Sequence, residues 1–278
     1  MTVEAIARYA ERWQLTLIGD PFETPSSWLT YAARGDTPAV LKIPKPGSDE
    51  HKGALALAHF GERVAVRVFA HDAHAILMER AVPGTTLAAE VLVGRDDEAT
   101  NIICDLIDRL PSEPIPQGDW KTVEFLARAW DRYHSGAPHS LLSLYVDRAK
   151  AMYLDLCRSS STHILLHGDL HHMNILKDAR GWLVIDPKGV IGDPAYEVAM
   201  ALHNPVPHFE LMSDPKVMAR RVRIFSDRLG LSEERILQWC FAVDILCHLW
   251  TIEDGHDVSN FPRSLKVAET AELLLGRF

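Results

Sequence analysis

Two carboxylates and one amide in the middle of the chain have the types and spacing of a phosphoryl-transfer site. Asp169 lies in the segment 167–176, Asn174 follows five positions later, and Asp186 ends an apolar run. A carboxylate within hydrogen-bond reach of a hydroxyl can orient it and accept its proton. Amide and carboxylate oxygens are ligands suited to Mg²⁺. We therefore predict Asp169 as the base, and Asn174 and Asp186 as the metal ligands.

A lysine in a strand-like run adds a positive charge that such a site needs. Lys42 alternates with Leu41 and Ile43, so it points to the opposite face of the predicted strand. Glu50 begins the next predicted helix and can pair with Lys42, fixing the ammonium for the α- and β-phosphates. Asp49 is a less favoured partner. The alternative for Glu50 is an acidic residue favoured in the first turn of a helix.

The loop between the first two strands is free of glycine. It spans residues 22–28 and offers Ser26 and Ser27, whose hydroxyls and amides are the candidate phosphate contacts. A Gly-rich loop normally lets backbone amides approach phosphate closely, so the exact contacts remain open here. No Walker A motif is present, which argues against a P-loop enzyme.

Acidic and aromatic residues near the C-terminus are candidates for the acceptor site. A cationic substrate would favour carboxylates beside an aromatic wall. The candidates are Trp250, Glu253, Asp254 and Asp257, with Glu197 as a lesser one. The alternative is a polar loop between the last two helices. Lys188 either touches a phosphate or is simply exposed. His172 is expected to be exposed, and Asp193 to cap a helix.

The composition excludes several classes of protein. The formal net charge of −9 argues against a broad nucleic-acid surface, which needs a basic face. We find no apolar run that reaches membrane-spanning length, and the amphipathic segment 1–15 is unlike a secretory signal. The four cysteines form no Cys-x-x-Cys pair, which is typical of free thiols in a reducing compartment. A cytoplasmic enzyme, a monomer or weak dimer without nucleic-acid or membrane partners, is expected.

The pattern of elements predicts an α+β protein of two lobes. The N-terminal lobe, 1–82, is an antiparallel sheet with one helix, and the larger lobe, 83–278, is mainly helical. The predicted strands are 15–18, 28–33, 39–43, 65–69 and 75–78, with two more at 174–176 and 182–185. The predicted helices are 49–61, 85–93 capped by Thr85 or Thr86, one from 96, 120–134, 140–158, and several after 194.

Two motifs carry a resemblance to a known family. The stretch His167-Gly168-Asp169-Leu170-His171-x-x-Asn174-Ile175-Leu176, with Ile185-Asp186-Pro187, closely resembles the aminoglycoside phosphotransferases, which share the protein-kinase-like fold. Within that family the chain is most similar to the streptomycin 6-phosphotransferases and the aminoglycoside/hydroxyurea resistance kinases.

The resemblance implies a function and further site residues. The implied reaction moves the γ-phosphoryl of ATP or GTP, with Mg²⁺, to a hydroxyl of streptomycin or a related cationic or hydroxylated small molecule. Lys42 would be the phosphate lysine, and a hinge that includes Glu79, Ala81 and Val82 would meet adenine. Asp169, Asn174 and Asp186 keep the roles given above.

Other functions remain open at this point. A housekeeping kinase for choline, a sugar or a homoserine-like metabolite would keep every motif and differ only in the helical lobe. A protein kinase is disfavoured because no activation segment with an Ala-Pro-Glu-like ending follows Asp186. A non-catalytic nucleotide-binding regulator is disfavoured because it would have no need to keep Lys42, Asp169, Asn174 and Asp186 together.

Overall fold

A computed structural model describes residues 2–46, 51–111, 114–133 and 140–278. The protein is α+β, with a sheet-based N-terminal part and a mainly helical C-terminal part. In chain order the elements are α1 (Thr2–Arg12), β1 (Thr16–Glu23), β2 (Ser27–Arg34), β3 (Thr37–Pro44), α2 (His51–Phe60), β4 (Val68–His71), β5 (Ile76–Glu79), β6 (Pro83–Thr86), α3 (Ala88–Leu92), α4 (Asp96–Asp108), β7 (Lys121–Thr122), α5 (Val123–Leu126), α6 (Arg128–Arg132), α7 (Ser140–Ser159), β8 (Ile164–Leu166), β9 (Ile175–Asp178), β10 (Gly181–Val184), β11 (Val190–Gly192), α8 (Pro194–Leu202), α9 (Phe209–Met212), α10 (Pro215–Leu229), α11 (Glu233–Glu253) and α12 (Phe261–Leu275).

The N-terminal sheet is antiparallel and has the strand order β1-β2-β3-β5-β4. Apolar residues of β3 alternate along the strand, and Leu41 and Ile43 pack with Ile6 and Tyr9 of α1 in one buried cluster. Lys42 lies between them and so faces the other side of the sheet, as alternation predicts. The five predicted N-terminal strands are confirmed, although β1 extends to Glu23 and β4 begins only at Val68.

The predicted helix 85–93 is wrong over its first half. Residues Pro83–Thr86 form β6, which pairs with β9, and the helix covers only Ala88–Leu92. The N–H of Leu87 donates to the carbonyl of Ile175 at 2.9 Å, so these backbone groups are satisfied by a strand partner. Leu87 is the N-cap and no side chain caps the helix, so neither Thr85 nor Thr86 has the predicted role.

The predicted helix 120–134 is broken into three short elements. Lys121–Thr122 pairs in parallel with Val190–Ile191, and this pairing holds the chain extended where a helix would begin. The Thr122 hydroxyl then accepts a hydrogen bond from the N–H of Phe125 at 3.1 Å and starts α5. Strands β8 and β11, which complete this small sheet, were not predicted.

Helix α11 is the centre of the helical part and packs against α7, α8 and α12. Among the described residues it is the one helix long and apolar enough to cross a membrane by length and composition, and 67% of its most apolar window is buried. The prediction that no apolar run has this length is therefore wrong. The burial shows the apolar side chains of α11 packed inside the protein core.

Candidate active site

An ion pair joins the N-terminal sheet to the helical part. The ammonium of Lys42, on β3, contacts Oδ1 of Asp186, which follows β10. Lys42 is only 5% exposed, and a buried ammonium is stable only with such a partner. Asp186 is half-exposed, and its φ of +59° turns the chain sharply after the strand. Leu29, Met78 and Ile185 line the apolar side of this cleft.

Asn174 connects this pair to the predicted base. Its side-chain NH₂ donates to the backbone carbonyl of Asp169 at 2.9 Å. The backbone carbonyl of Asn174 accepts from the N–H of Ile185 at 2.9 Å. The first bond fixes the amide so that its oxygen is the atom left for a metal ligand. Since Ile185 directly precedes Asp186, the structure brings Lys42, Asp169, Asn174 and Asp186 together by an unbroken series of contacts.

The ring of His167 bridges the backbone before Asp186 and the backbone of Asp169. Its Nε2–H donates to the carbonyl of Ile185 at 2.8 Å, and its Nδ1 accepts from the N–H of Asp169 at 3.3 Å. Burial lowers the pKa of His167 to about 4, so the imidazole is neutral and keeps this single tautomer. This role of His167 was not predicted from the sequence.

Glu197 is buried beneath residues 167–169, the segment that carries Asp169. It is fully buried, and its Oε1 accepts a hydrogen bond from the N–H of Gly168 at 2.8 Å. Burial raises the pKa of Glu197 to about 8, although hydrogen bonds from the backbone amides of Gly168 and His167 favour the charged form. The structure thus corrects the prediction of Glu197 as a substrate contact, because its carboxyl supports the backbone beside Asp169.

The predicted base, Asp169, is favoured as a carboxylate. Burial raises the pKa of Asp169, but the positive charge of Lys188 opposes this effect and the pKa lies below its usual value. Lys188 Nζ is 3.9 Å from Oδ2, and Nε2 of His171 is 3.7 Å from Oδ1. Asp169 retains 25% side-chain exposure, so an acceptor hydroxyl has access to an ionised carboxylate.

The hinge offers one backbone donor of the three predicted residues. The N–H of Glu79 donates to the carbonyl of Arg67 at 2.8 Å, and its carboxylate pairs with Arg180. The N–H of Val82 donates to Asp178 at 3.2 Å. The N–H of Ala81 has no hydrogen-bond partner within the described part of the chain. Ala81 is therefore the candidate donor to adenine, while the Glu79 side chain and the Val82 amide are already engaged within the protein.

The first loop engages its own backbone groups. The N–H of Ser27 donates to the Thr24 hydroxyl at 3.1 Å, and the carbonyl of Ser26 accepts from the N–H of Lys45 at 2.8 Å. The predicted phosphate contact through the Ser27 amide is therefore not offered by this loop. The Ser27 hydroxyl is buried and has no hydrogen-bond partner among the described residues. Glu50, the predicted partner of Lys42, lies outside the described residues and stays a prediction.

The predicted acceptor residues divide into one near the base and three at the surface. The ring of Trp250 has Lys188 Nζ 4.9 Å from its centroid, and the same Nζ lies 3.9 Å from Oδ2 of Asp169. Glu253 forms two hydrogen bonds with Arg132, at 2.7 and 2.8 Å. Asp254 is exposed at the end of α11, and Asp257 accepts from both the N–H and the hydroxyl of Ser259 at 2.8 Å. Two of these carboxylates thus have partners within the protein.

The remaining polar residues are structural. His172 is buried, which contradicts the expected exposure, and burial lowers its pKa to about 3. Asp193 caps α8 as predicted, accepting from the N–H of Ala195 at 2.9 Å. His248 bonds the Ser264 hydroxyl in the core at 2.6 Å.

Across the described ranges no group of three or more His, Cys, Asp or Glu residues could hold a metal ion. An amide and one carboxylate, completed by phosphate oxygens and water, still fit Mg²⁺.

The chain is similar to known phosphotransferases over most of its length. Residues 12–255 match the model of the aminoglycoside/hydroxyurea antibiotic resistance kinases. The chain is 35% identical to a streptomycin 3''-kinase of Klebsiella pneumoniae, over 88% of this chain and 91% of that protein. It is 31% identical to a streptomycin 6-kinase of Streptomyces griseus, over 95% and 87% respectively.

Solved structures share the fold at low sequence identity. The choline kinase LicA from Streptococcus pneumoniae superposes with a TM-score of 0.68 at 16% identity, covering 100% of both chains. A thermostable mutant of the aminoglycoside phosphotransferase APH(4)-Ia, solved with ADP and hygromycin B, gives a TM-score of 0.64 at 16% identity and covers 97% of each chain. These neighbours have the kinase-like fold, and nucleotides occupy several of them. With a family model that matches most of its length, the chain belongs to the aminoglycoside/hydroxyurea antibiotic resistance kinases.

Proposed function

We propose that the protein transfers the γ-phosphoryl group of ATP to a hydroxyl of streptomycin and thereby inactivates the antibiotic. The observation that supports this most is the series of contacts that joins Lys42 and Asp186 to Asn174 and Asp169. A binding-only protein has no need of a base beside its metal ligands. Relatives named as streptomycin kinases over most of the chain support the choice of acceptor.

Each residue has a separate part in the reaction. Asp169 accepts the proton of the acceptor hydroxyl and aims its oxygen at the γ-phosphorus. Lys42 binds the α- and β-phosphates, and Asn174 with Asp186 would hold Mg²⁺. When bound, Mg²⁺ neutralises charge on the phosphate oxygens. Catalysis then comes from positioning and charge stabilisation in a partly closed cleft.

Lys42 has two partners to satisfy in the course of a cycle. The ammonium of Lys42 contacts Asp186. A bound triphosphate supplies a further anionic partner, so we expect Lys42 to share its hydrogen bonds between Asp186 and the phosphates. The ion pair holds the lysine side chain at the cleft, which lowers the entropy cost of binding. The cytoplasm, where ATP is present, is the proposed site of action.

An ATP-consumption screen with product analysis tests the proposal. The purified protein is given Mg²⁺ and ATP with streptomycin, hygromycin B, hydroxyurea, choline or glucose in turn. We expect consumption far above the basal rate for streptomycin, with a phosphorylated product by mass spectrometry. Phosphorus NMR of that product then distinguishes the 3'' hydroxyl from the 6 hydroxyl, the two positions after which the relatives are named. Turnover with choline or glucose but not with streptomycin would overturn the proposed acceptor.

A further inference from the structure

Lys188 is a second lysine at the site, and its backbone is held against residues 167–169. The N–H groups of Lys188 and Gly189 both donate to the carbonyl of His167, at 2.8 and 3.1 Å. The two segments approach closely because Gly168 has no side chain. A Cβ there would lie 2.7 Å from Cγ2 of Val190 and 3.5 Å from Cβ of Lys188. The position of Lys188 is therefore fixed by the same peptide units that place the base.

The ammonium of Lys188 lies between the base and the nearest predicted acceptor residue. Its Nζ is 3.9 Å from Oδ2 of Asp169 and 4.9 Å from the centroid of the Trp250 ring. The side chain is 45% exposed, so a ligand in the cleft can reach it. Lys42 contacts the other predicted carboxylate, Asp186. Each of the two carboxylates thus has a lysine ammonium within 4 Å.

The reaction requires positive charge where Lys188 lies. An acceptor hydroxyl within hydrogen-bond reach of Asp169 has the γ-phosphorus on its far side, and charge spreads over the three equatorial oxygens in the transition state. The Lys188 ammonium lies 3.9 Å from the same carboxylate, and its flexible four-carbon side chain can bring it to those oxygens. We propose that Lys188 is a catalytic residue that binds the transferring γ-phosphoryl group from the acceptor side. This inference depends on the proposed phosphoryl transfer but not on the identity of the acceptor.

Nucleotide binding separates this role from a purely structural one. A lysine that binds the γ-phosphoryl strengthens binding of AMP-PNP and leaves ADP binding unchanged, because ADP lacks that group. A lysine that only holds Asp169 in place affects both nucleotides alike. Lys177→Met is a matched control, since Lys177 Nζ also lies over a tryptophan ring, 5.0 Å from the centroid of Trp182, on the exposed side of β9.

The experiment is isothermal titration calorimetry with Mg²⁺ and either AMP-PNP or ADP, without acceptor. We expect Lys188→Met to weaken AMP-PNP binding about tenfold and ADP binding less than about twofold. Lys188→Arg, which keeps the charge, should recover most of the loss, and Lys177→Met should match the wild type for both nucleotides. An unchanged ratio of the two affinities in Lys188→Met would overturn the proposal.

Steady-state kinetics supply a second readout. With the acceptor found in the screen, Lys188→Met should lower kcat by about 10²-fold while the KM for acceptor changes little, since the contact with the γ-phosphoryl strengthens further in the transition state. A rise in the acceptor KM with kcat unchanged would instead assign Lys188 to acceptor binding and overturn the proposal. If streptomycin proves not to be the acceptor, the calorimetric comparison still decides the role of Lys188.

Discussion

The phosphate end and the acceptor end of the cleft are built in different ways. At the phosphate end, the groups that position Asp169 are buried and hydrogen-bonded, with His167 and Glu197 each holding the backbone beside it. At the predicted acceptor end, Glu253 in the last turn of α11 pairs with Arg132, and Asp254 directly after it is exposed. The backbone beside Asp169 is fixed by buried hydrogen bonds, whereas side chains at the surface end can be substituted without breaking those bonds.

This difference explains how one fold serves different acceptors. In the proposed mechanism the buried network sets the position of Asp169 relative to the phosphates, so it is needed whatever hydroxyl is attacked. The exposed carboxylates would affect only which molecule stays near Asp169. Changes at the phosphate end should therefore lower kcat for every acceptor, and changes at the acceptor end should mainly alter the KM for acceptor.

Removal of the base should give the largest effect. Asp169→Asn keeps the shape and the hydrogen-bonding side chain but cannot accept a proton, so kcat should fall about 10³-fold or more. Nucleotide affinity should stay within about twofold, because Asp169 does not bind the phosphates in this account. Steady-state kinetics and calorimetry measure the two quantities. Activity within tenfold of the wild type would show that another group is the base.

Acid should destabilise the protein through its buried histidines. The pKa is lowered to about 4 for His167 and His203 and to about 3 for His172, so the unfolded chain binds more protons below pH 6.5. Each histidine should then cost about 1.4 kcal/mol of unfolding free energy per pH unit below 6.5. Urea unfolding at pH 7.5, 6.5 and 5.5 measures this. Equal stability at all three values would contradict the buried, neutral state of these residues.

The buried carboxyl of Glu197 gives the opposite pH dependence of stability from the histidines. Because the pKa of Glu197 is raised to about 8, its contribution is complete below pH 4.5 and is lost as the pH rises through 8. Glu197→Gln mimics the protonated form and should lose less stability than the wild type between pH 6.5 and 8.5. Glu197→Ala leaves the Gly168 N–H without its partner and should destabilise by about 1–3 kcal/mol.

Activity distinguishes these two variants as well. Glu197→Gln should keep kcat within a few-fold of the wild type at pH 6.5, while Glu197→Ala should lower it because the Gly168 backbone is no longer held. Thermal unfolding confirms that each variant is folded. Equal kcat for Glu197→Ala and the wild type would show that this carboxyl has no part in positioning the base.

The acceptor end should give the smallest effect. Arg132→Ala releases Glu253 from its two hydrogen bonds, so the free carboxylate becomes available to a cationic acceptor. We expect the KM for streptomycin to fall about two- to fivefold with kcat unchanged, the range of an exposed ion pair. Glu253→Gln should not show this gain. A lower kcat in Arg132→Ala would mean that the acceptor end is not independent of the phosphate end.

Short-range spacing was sufficient to predict which residues meet at the candidate site. Asp169 and Asn174 precede the β9–β10 hairpin and Asp186 follows it, so their types and order already indicated phosphoryl transfer. Alternation in β3 likewise gave the facing of Lys42. Each of these inferences rests on neighbours along the chain, and the structure brings all four residues together.

Long-range contacts account for what sequence analysis missed. Burial made Glu197 a support for Gly168, 29 residues earlier in the chain, rather than a substrate contact. Arg132 engages Glu253 across 121 positions, which no local pattern indicates. The same cause broke the predicted helix 120–134, because Lys121–Thr122 found a strand partner nearly seventy residues later at Val190–Ile191. The boundary at 82/83 and the Lys42–Glu50 pair stay predictions.

A single-turnover experiment tests the central claim most directly. Enzyme in excess over labelled ATP is mixed with Mg²⁺ and streptomycin, quenched at intervals, and assayed for phosphorylated streptomycin. We expect stoichiometric transfer by the wild type and no transfer on the same timescale by Asp169→Asn, although both bind the nucleotide. Transfer by the variant at the wild-type rate would contradict the assignment of residues 42, 169, 174 and 186 to one phosphoryl-transfer site.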